Sequence, residues 1–327
     1  MGDILKGKVA VVTGSGQGIG RAIAMAFAEE GAKVVTNNRK PGSTGASMVT
    51  EEQVKKLSAE ELETFKKGME AENGDAATTA AAIKALGGEA TAVFGDIAKI
   101  EDAERLIKTA AETYGRIDIL CNVAGGFGFS DIEDITDKLW DRVNGVKPRG
   151  YFHTMKYAIP YMKKQKSGRI LNCASPAFLG DVLKHAEYCA ANAGVVGLTR
   201  GAAIELRPHG ITVNCFAPFA LTRASYELEA AKATADKPII TEGKTFMELG
   251  ATPGPEYVAP FVIYLASDKS EKVSGAVFIV GGNMVGLYST PAPDKMLFKQ
   301  APEKWDVGEL FEKVETELFT DYKSIAD

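Results

Sequence analysis

The run Thr13-Gly14-Ser15-Gly16-Gln17-Gly18-Ile19-Gly20 has the composition of a phosphate cradle. Glycines let the backbone come close to an anion. A helix starting at the end of such a turn adds amide donors and the partial positive charge of its N-terminus. A glycine triplet alone is weak. Here the apolar run VAVVT (Val9–Thr13) precedes it and a helical pattern over Arg21–Glu30 follows, closed by Gly31. That strand–turn–helix context is what a dinucleotide pyrophosphate requires. Gly14, Ser15, Gln17, Gly18 and Ile19 are the expected contacts.

A second informative position ends the next strand, KVVT at Lys33–Thr36. A carboxylate there would bond a ribose 2′-OH and repel a 2′-phosphate. The chain instead has Asn37-Asn38-Arg39-Lys40, two amides followed by two cations. Asn38 and Arg39 are the expected ribose contacts, and the charge favours NADP over NAD. The alternative is that Arg39 and Lys40 anchor an insertion that begins there.

The elements around these residues follow one rhythm. Val9–Thr13 is continuously apolar, as a parallel strand covered on both faces must be. Lys33–Thr36, Ala90–Phe94, Ile117–Cys121, Arg169–Cys173, Thr212–Phe216 and Val277–Val280 read as further strands, with helical patterns between them. The alternation predicts an α/β fold: a single Rossmann-type, doubly wound parallel sheet with helices on both faces. Two stretches interrupt it. Residues 40–75 are long for a connection, but Thr50-x-x-Gln53 and Ser58-x-x-Glu61 look like capping boxes, so a helical insertion is expected. Beyond Gly286 comes a tail with an amphipathic pattern at Leu310, Phe311, Val314 and Leu318. The expected division is a catalytic domain over 1–286 and a C-terminal extension over 287–327, packed on that domain or on a neighbouring subunit.

Composition narrows the function classes. The chain has 327 residues, 45% hydrophobic and 25% charged, with a net charge of −5. No basic face is indicated, so nucleic acid is not an expected partner. Lys163, Lys164 and Lys166 read as a solvated helix end. No apolar run is long enough to span a bilayer and no signal peptide is evident, so no membrane partner and a cytoplasmic location are expected. Cys121, Cys173, Cys189 and Cys215 form no CxxC pair and read as reduced thiols. His153 and His209 read as structural, and no metal-ligand spacing appears. There is no GxSxG elbow.

The spacing TGxxxGIG resembles the short-chain dehydrogenase/reductase signature, and further motifs follow in the family's order over residues 6–282. Asp96 in Gly95-Asp96-Ile97 matches the position that meets adenine, with Ile97 beside it. Asn122-Val123-Ala124-Gly125 resembles the NNAG motif, whose Asn122, Ala124 and Gly125 would support the strand and line the cofactor. Asp118 fits the same pattern. Pro218 matches the proline near the nicotinamide carboxamide, with Thr222 following, although Phe219 replaces the usual glycine. The resemblance implies a small-molecule substrate and a homodimer or homotetramer.

The family's chemistry needs an acid beside the alkoxide that forms when hydride reaches a carbonyl, and a base in reverse. A phenol of pKa about 10 is only ~0.1% ionised at neutral pH. A cation at ~4 Å, with an effective dielectric near 20, contributes on the order of 4 kcal/mol, or about three pKa units. The family therefore pairs a tyrosine with a lysine one helical turn later, while a serine bonds the substrate oxygen. Tyr188 and Ser175, 13 residues apart, match the tyrosine and serine. The lysine position holds Asn192, which can hydrogen-bond a ribose hydroxyl but carries no charge.

The family's catalytic asparagine falls in a segment like W-D-x-V-x-x-V-N-x-x-G. Here that segment runs from Trp140 to Gly150, and Lys147 takes the asparagine's place. The two residue types thus look exchanged, with the Lys147 ammonium supplying the missing charge from the opposite wall. Two alternatives stand beside this: Lys147 points to solvent, or Asn144 is the true equivalent. His185, three residues before Tyr188, is either a substrate contact or an ordinary residue at the helix entry.

The segment Pro255-Glu256-Tyr257-Val258-Ala259-Pro260, then Tyr264-Leu265-Ala266-Ser267, Gly275 and Gly281-Gly282, resembles the (3R)-hydroxyacyl-CoA dehydrogenase domain of multifunctional enzymes. So does APFALTR, residues 217–223. The expected activity is NAD(P)-dependent interconversion of a secondary alcohol and a ketone, with a bulky substrate such as a 3-hydroxyacyl thioester. Two other readings remain open. One is a cofactor-binding pseudoenzyme or regulatory subunit, marked by Asn192. The other is a non-redox lyase or hydratase on the same fold.

Overall fold

The strands Val9–Thr13 (β1), Lys33–Asn38 (β2), Ala90–Phe94 (β3), Ile119–Asn122 (β4), Gly168–Cys173 (β5), Ile211–Pro218 (β6), Val277–Gly281 (β7) and Met284–Leu287 (β8) form one sheet in the order β3-β2-β1-β4-β5-β6-β7-β8. The structure, a computed structural model, describes residues 2–43, 47–71, 73–240, 254–299 and 304–320. Neighbours pair in parallel from β3 to β7. Strand order reverses direction between β1 and β4, so a crevice opens at their C-terminal ends. The predicted doubly wound sheet is present. One strand escaped the sequence: β8 folds back antiparallel on β7 after a turn in which Gly282 takes φ 57°. Its exposed Met284, Val285 and Leu287 give no one-sided apolar pattern.

Eleven α-helices are described: Gly18–Glu29 (α1), Glu51–Lys56 (α2), Ala59–Ala71 (α3), Ala76–Ala85 (α4), Ile100–Tyr114 (α5), Asp137–Asn144 (α6), Gly150–Gln165 (α7), Ala186–Leu206 (α8), Arg223–Thr234 (α9), Ala259–Ala266 (α10) and Val307–Lys313 (α11). The alternation of β1 shows how they are distributed. Ala10 and Val12 pack on one face of the sheet with Ile23 and Phe27 of α1 and Val262 of α10. Val11 packs on the other with Leu106 of α5, Met155 of α7 and Val195 of α8. A strand buried on both faces has no polar side to show, which is why its sequence is uniformly apolar.

The insertion is helical, and both capping boxes form. Thr50 and Gln53 bond reciprocally at the start of α2, and Ser58 and Glu61 do so at the start of α3. The insertion adds a small core of its own against α9, made by Val49, Leu57, Ala230 and Ala231. Its last residue, Asp75, caps α4 through Thr78 N at 2.9 Å and also accepts from Gly42 N at 3.0 Å. The two ends of the insertion are therefore tied to each other at the start of α4.

Met1–Tyr288 and Ser289–Asp327 are two compact units. In the second, α11 carries Leu310 and Phe311, and a π turn over Val314–Leu318 follows it. All four cysteines are free thiols, and burial pushes Cys189 up to about 11 and Cys215 up to about 12. Lys163, Lys164 and Lys166 close α7, where cations suit the helix C-terminus. Among the described residues no helix is long and apolar enough to cross a membrane, and no cluster of three metal-ligating side chains occurs.

Candidate active site

A cleft of about 520 Å³ opens at the C-terminal ends of the central strands. The glycine turn forms one end of it, through Gly14, Gly16, Gln17, Gly18 and Ile19. Gly14 takes φ 66°, and a methyl group there would come within 2.7 Å of the Ala124 backbone. Thr13 Oγ1 accepts from Val123 N and Ala124 N at 3.0 and 3.2 Å, tying the turn to the segment after β4. Ser15 faces away from the cleft. Its hydroxyl donates to Val12 O at 2.8 Å and accepts from Asn37 N at 2.9 Å, and so joins the ends of β1 and β2.

Asn38, Arg39, Asp96 and Ile97 line the next part of the cleft. The Asn38 amide is consumed by the insertion: it donates to Ser43 O at 2.9 Å and to Lys40 O at 3.3 Å, and accepts from Ala76 N at 2.9 Å. Arg39 is exposed and makes no hydrogen bond or ion pair among the described residues. Asp96 Oδ1 accepts from Ala98 N at 3.0 Å. Ala124, Gly125, Pro218 and Thr222 also line the cleft, whereas Asn122 lies beneath it. Asn122 donates to Asn172 Oδ1 at 3.0 Å and accepts from Thr154 Oγ1 at 2.8 Å, binding β4 to β5 and α7. Phe219, where the family has glycine, is accommodated by Gly281. A methyl group at Gly281 would come within 2.7 Å of the Phe219 ring.

Between α6 and α7 the helix widens into a π turn over Gly145–Arg149 that contains Pro148. Proline lacks an N–H and clashes with the carbonyl four residues back, and a π turn is one way for a helix to absorb that. Lys147 sits in this turn and is 3% exposed. Its Nζ donates to Cys173 O at 2.8 Å and to Asn192 Oδ1 at 2.9 Å. The same nitrogen lies 5.3 Å from the Tyr188 ring centre and 5.9 Å from that of Tyr151. Gly125 makes room for it, since a methyl group there would meet Lys147 Cε at 2.9 Å.

Asn192 is fully buried on α8 and does not reach the cleft. One end of its amide accepts from Lys147, and the other donates to Tyr188 O at 2.7 Å. Asn144, the alternative equivalent, donates instead to Trp140 O at 3.1 Å. Tyr188 and Ser175 both line the cleft. Ser175 caps the turn after β5, accepting from Ala177 N at 3.3 Å. Tyr151, which the sequence did not single out, donates to Ala124 O and Cys173 O at 3.0 and 3.2 Å, and burial pushes its phenol well above the usual range. It is thus a neutral donor that secures the carbonyl Lys147 uses.

The wall beside Tyr188 is aromatic. Phe127 lies 4.9 Å from the Tyr188 ring and 5.8 Å from that of His185. His185 is buried, lines the cleft, and holds Asp181 Oδ2 at 3.2 Å through Nε2. Glu187 steadies the aromatic loop by accepting from Gly128 N at 3.1 Å. The sequence GFGFS after the NVAG motif, residues 126–130, was the available signal for this wall.

The glycine cradle at a helix N-terminus, open where a Cβ would close it, fits a dinucleotide. The short chain dehydrogenase family model matches residues 8–61 and 44–231. The chain belongs to this family. It is 33% identical over 281 residues to an uncharacterized oxidoreductase of Thermotoga maritima, covering 85% of this chain and 97% of that protein. It is 35% identical over 283 residues to a 3-oxoacyl-[acyl-carrier-protein] reductase of Synechocystis, covering 86% and 98%. Peroxisomal multifunctional enzyme type 2 of Mus musculus is 34% identical over 280 residues, 86% of this chain but 32% of that longer protein. A solved short chain dehydrogenase from Mycobacterium avium superposes with a TM-score of 0.75 at 31% identity, covering 98% of each chain. As a short-chain dehydrogenase/reductase, the protein is an NAD(P)-dependent oxidoreductase acting on CH–OH groups.

Proposed function

We propose that the protein interconverts a secondary alcohol and a ketone on a bulky substrate such as a 3-oxoacyl thioester, preferring NADP to NAD, with Tyr188 as acid and base. The observation that carries this reading is the Lys147 ammonium, hydrogen-bonded to Asn192 and 5.3 Å from the Tyr188 ring centre. The bound dinucleotide supplies or accepts the hydride. Gly14, Gly16, Gln17, Gly18 and Ile19 would hold its phosphates, Arg39 its ribose end, and Pro218 and Thr222 its carboxamide.

In reduction, the Ser175 hydroxyl donates to the substrate oxygen and Tyr188 gives it a proton. In oxidation, Tyr188 takes that proton back. Lys147 places a cation 5.3 Å from the centre of the Tyr188 ring, beside the group that exchanges the proton. Asn192 acts through other residues, fixing the ammonium with one end of its amide and the Tyr188 backbone with the other. The 3-oxoacyl preference is supported by the similarity to the Synechocystis reductase and the mouse multifunctional enzyme. NADP is favoured by Arg39, a cation lining the cleft with no competing partner among the described residues.

The same reading takes residues 1–286 as the catalytic domain and 287–327 as an extension. It takes the working form as a homodimer or homotetramer, with exposed Trp140 and Phe152 at the contact. The competing reading is a cofactor-binding subunit without turnover, which Asn192 in the family's lysine position would favour. Absorbance at the reduced nicotinamide band separates them. Turnover with 3-oxoacyl thioesters or other bulky ketones is expected. Binding of NADPH without oxidation by any member of a broad ketone panel would sink the redox reading.

A further inference from the structure

Arg223 opens α9 and lines the cleft, yet it is 8% exposed. Its Nη2 donates to Glu227 Oε1 at 2.8 Å, one helical turn on. Its Nε and Nη1 are buried and meet no acceptor among the described residues. A guanidinium cannot shed its proton to escape this, and buried donors are nearly always paired.

Other arginines of the fold show what a structural guanidinium looks like. Arg169 is similarly buried, at 6% exposed, and all three of its nitrogens are engaged, by Ser267 O, Gly168 O and Asp268. Arg116 places Nε and Nη2 side-on against Asp118 at 2.8 and 2.6 Å. Arg223 differs in that its partner takes one nitrogen and leaves two. Glu227 is in turn fixed by the insertion, because Oε1 also accepts from Ser47 Oγ at 2.9 Å. The guanidinium is thus braced by Glu227, with two buried donors unmet among the described residues in a side chain that lines the cleft. The N-terminus of the 12-residue helix α9 adds positive potential at the same place.

We propose that Arg223 receives an anionic oxygen group of a molecule bound in this cleft. The inference rests on the reading that the cleft takes a dinucleotide and a ketone. Two sources carry that chemistry: a carboxylate on the substrate and the diphosphate of the dinucleotide. Glu227 orients the guanidinium toward the group and is a positioning residue.

The test uses the full chain with two changes. Arg223→Lys keeps a charge but loses the planar fork. The double variant Arg223→Met/Glu227→Gln removes both charges together, so no lone buried carboxylate is left to unfold the protein. Dissociation constants are measured for NADPH, and for 3-oxobutanoate and its methyl ester on the complex with oxidised dinucleotide. A rise of tenfold or more in the NADPH constant in the double variant assigns the site to the diphosphate. A tenfold or greater loss of preference for the acid over the ester assigns it to a substrate carboxylate. In either case Arg223→Lys falls between. Both quantities within twofold of the parent, in a variant whose circular dichroism matches the parent, would overturn the proposal. A parent protein that binds dinucleotide and reduces ketones in that case keeps its proposed function, and one that binds no dinucleotide at all overturns both.

Discussion

Lys147 Nζ and Asn192 Oδ1 lie 2.9 Å apart, although the residues come from different helical segments, the π turn before α7 and the helix α8. A buried ammonium tolerates burial only when its donors are met, and Asn192 and the Cys173 carbonyl meet two of them. The pair thus puts a cation next to Tyr188 without a lysine on the tyrosine's own helix.

The pair can be dissected by exchange. Lys147→Asn is expected to lower kcat by about a hundredfold, the scale of losing one fixed electrostatic stabiliser in an active site. Asn192→Lys should destabilise the fold, because it sets two ammonium groups against each other in a dry site. The double exchange, Lys147→Asn with Asn192→Lys, is expected to recover stability and part of kcat. Denaturant melts and steady-state kinetics on all four proteins measure the coupling. Strictly additive effects would show that the two residues act independently.

Arg39 is predicted to read the ribose end of the dinucleotide. Arg39→Ala should weaken NADPH binding about tenfold, in the range of one lost charge-assisted hydrogen bond, and weaken NADH binding less. Fluorescence titration of both reduced cofactors gives the ratio. An unchanged ratio would leave Arg39 as a surface residue of the insertion's root.

Gly68 sits in α3 against the ring of Tyr226 on α9, and a methyl group there would overlap that ring. In an ordinary helix, Gly→Ala stabilises by roughly 1 kcal/mol. Here overpacking should outweigh this and give a net loss of about 1 kcal/mol. Because α9 also carries Arg223, ligand binding should weaken in parallel. Chemical denaturation of Gly68→Ala, with Gly68→Ala/Tyr226→Ala as the relief variant, tests the contact. A stabilised single variant would mean that the insertion packs more loosely than described.

Asp75 links the insertion to α4, and the hydrogen bonds from Gly42 N and then Thr78 N hold its carboxyl below the ordinary range. A carboxyl with a depressed folded pKa contributes stability above its unfolded value, near 3.9, and loses it as pH falls toward the folded value. Amide protection factors at Gly42 and at the start of α4, taken against the intrinsic exchange rate at each pH, should therefore be highest near pH 6 and fall below about pH 4. Asp75→Asn should remove that acid-dependent component. Equal acid sensitivity in both proteins would assign the effect to other carboxyls.

Features carried by contiguous residues were legible before any fold was known. The glycine turn, β1, both capping boxes of the insertion, and the spacing of Ser175 and Tyr188 each depend on neighbours within about one strand or one helix. Periodicity and local hydrogen bonding determine such features, so the sequence states them directly. Family spacing also brought Lys147 and Asn192 under suspicion, but only as residue types at positions.

The tertiary structure decided what those side chains meet. Ser15 and Asn122 stand in motifs of the cofactor site yet turn inward to join strands. Asn38 gives its amide to the insertion. Lys147 reaches Asn192 from a neighbouring helical segment, and Arg223 is braced through Glu227 by Ser47, 180 residues earlier than that glutamate. Such contacts depend on how separate elements pack, and spacing along the chain carries little of that information. The sequence alone determined the fold class and the residues at issue. Packing determined which of them face the cleft and which charge stands beside Tyr188.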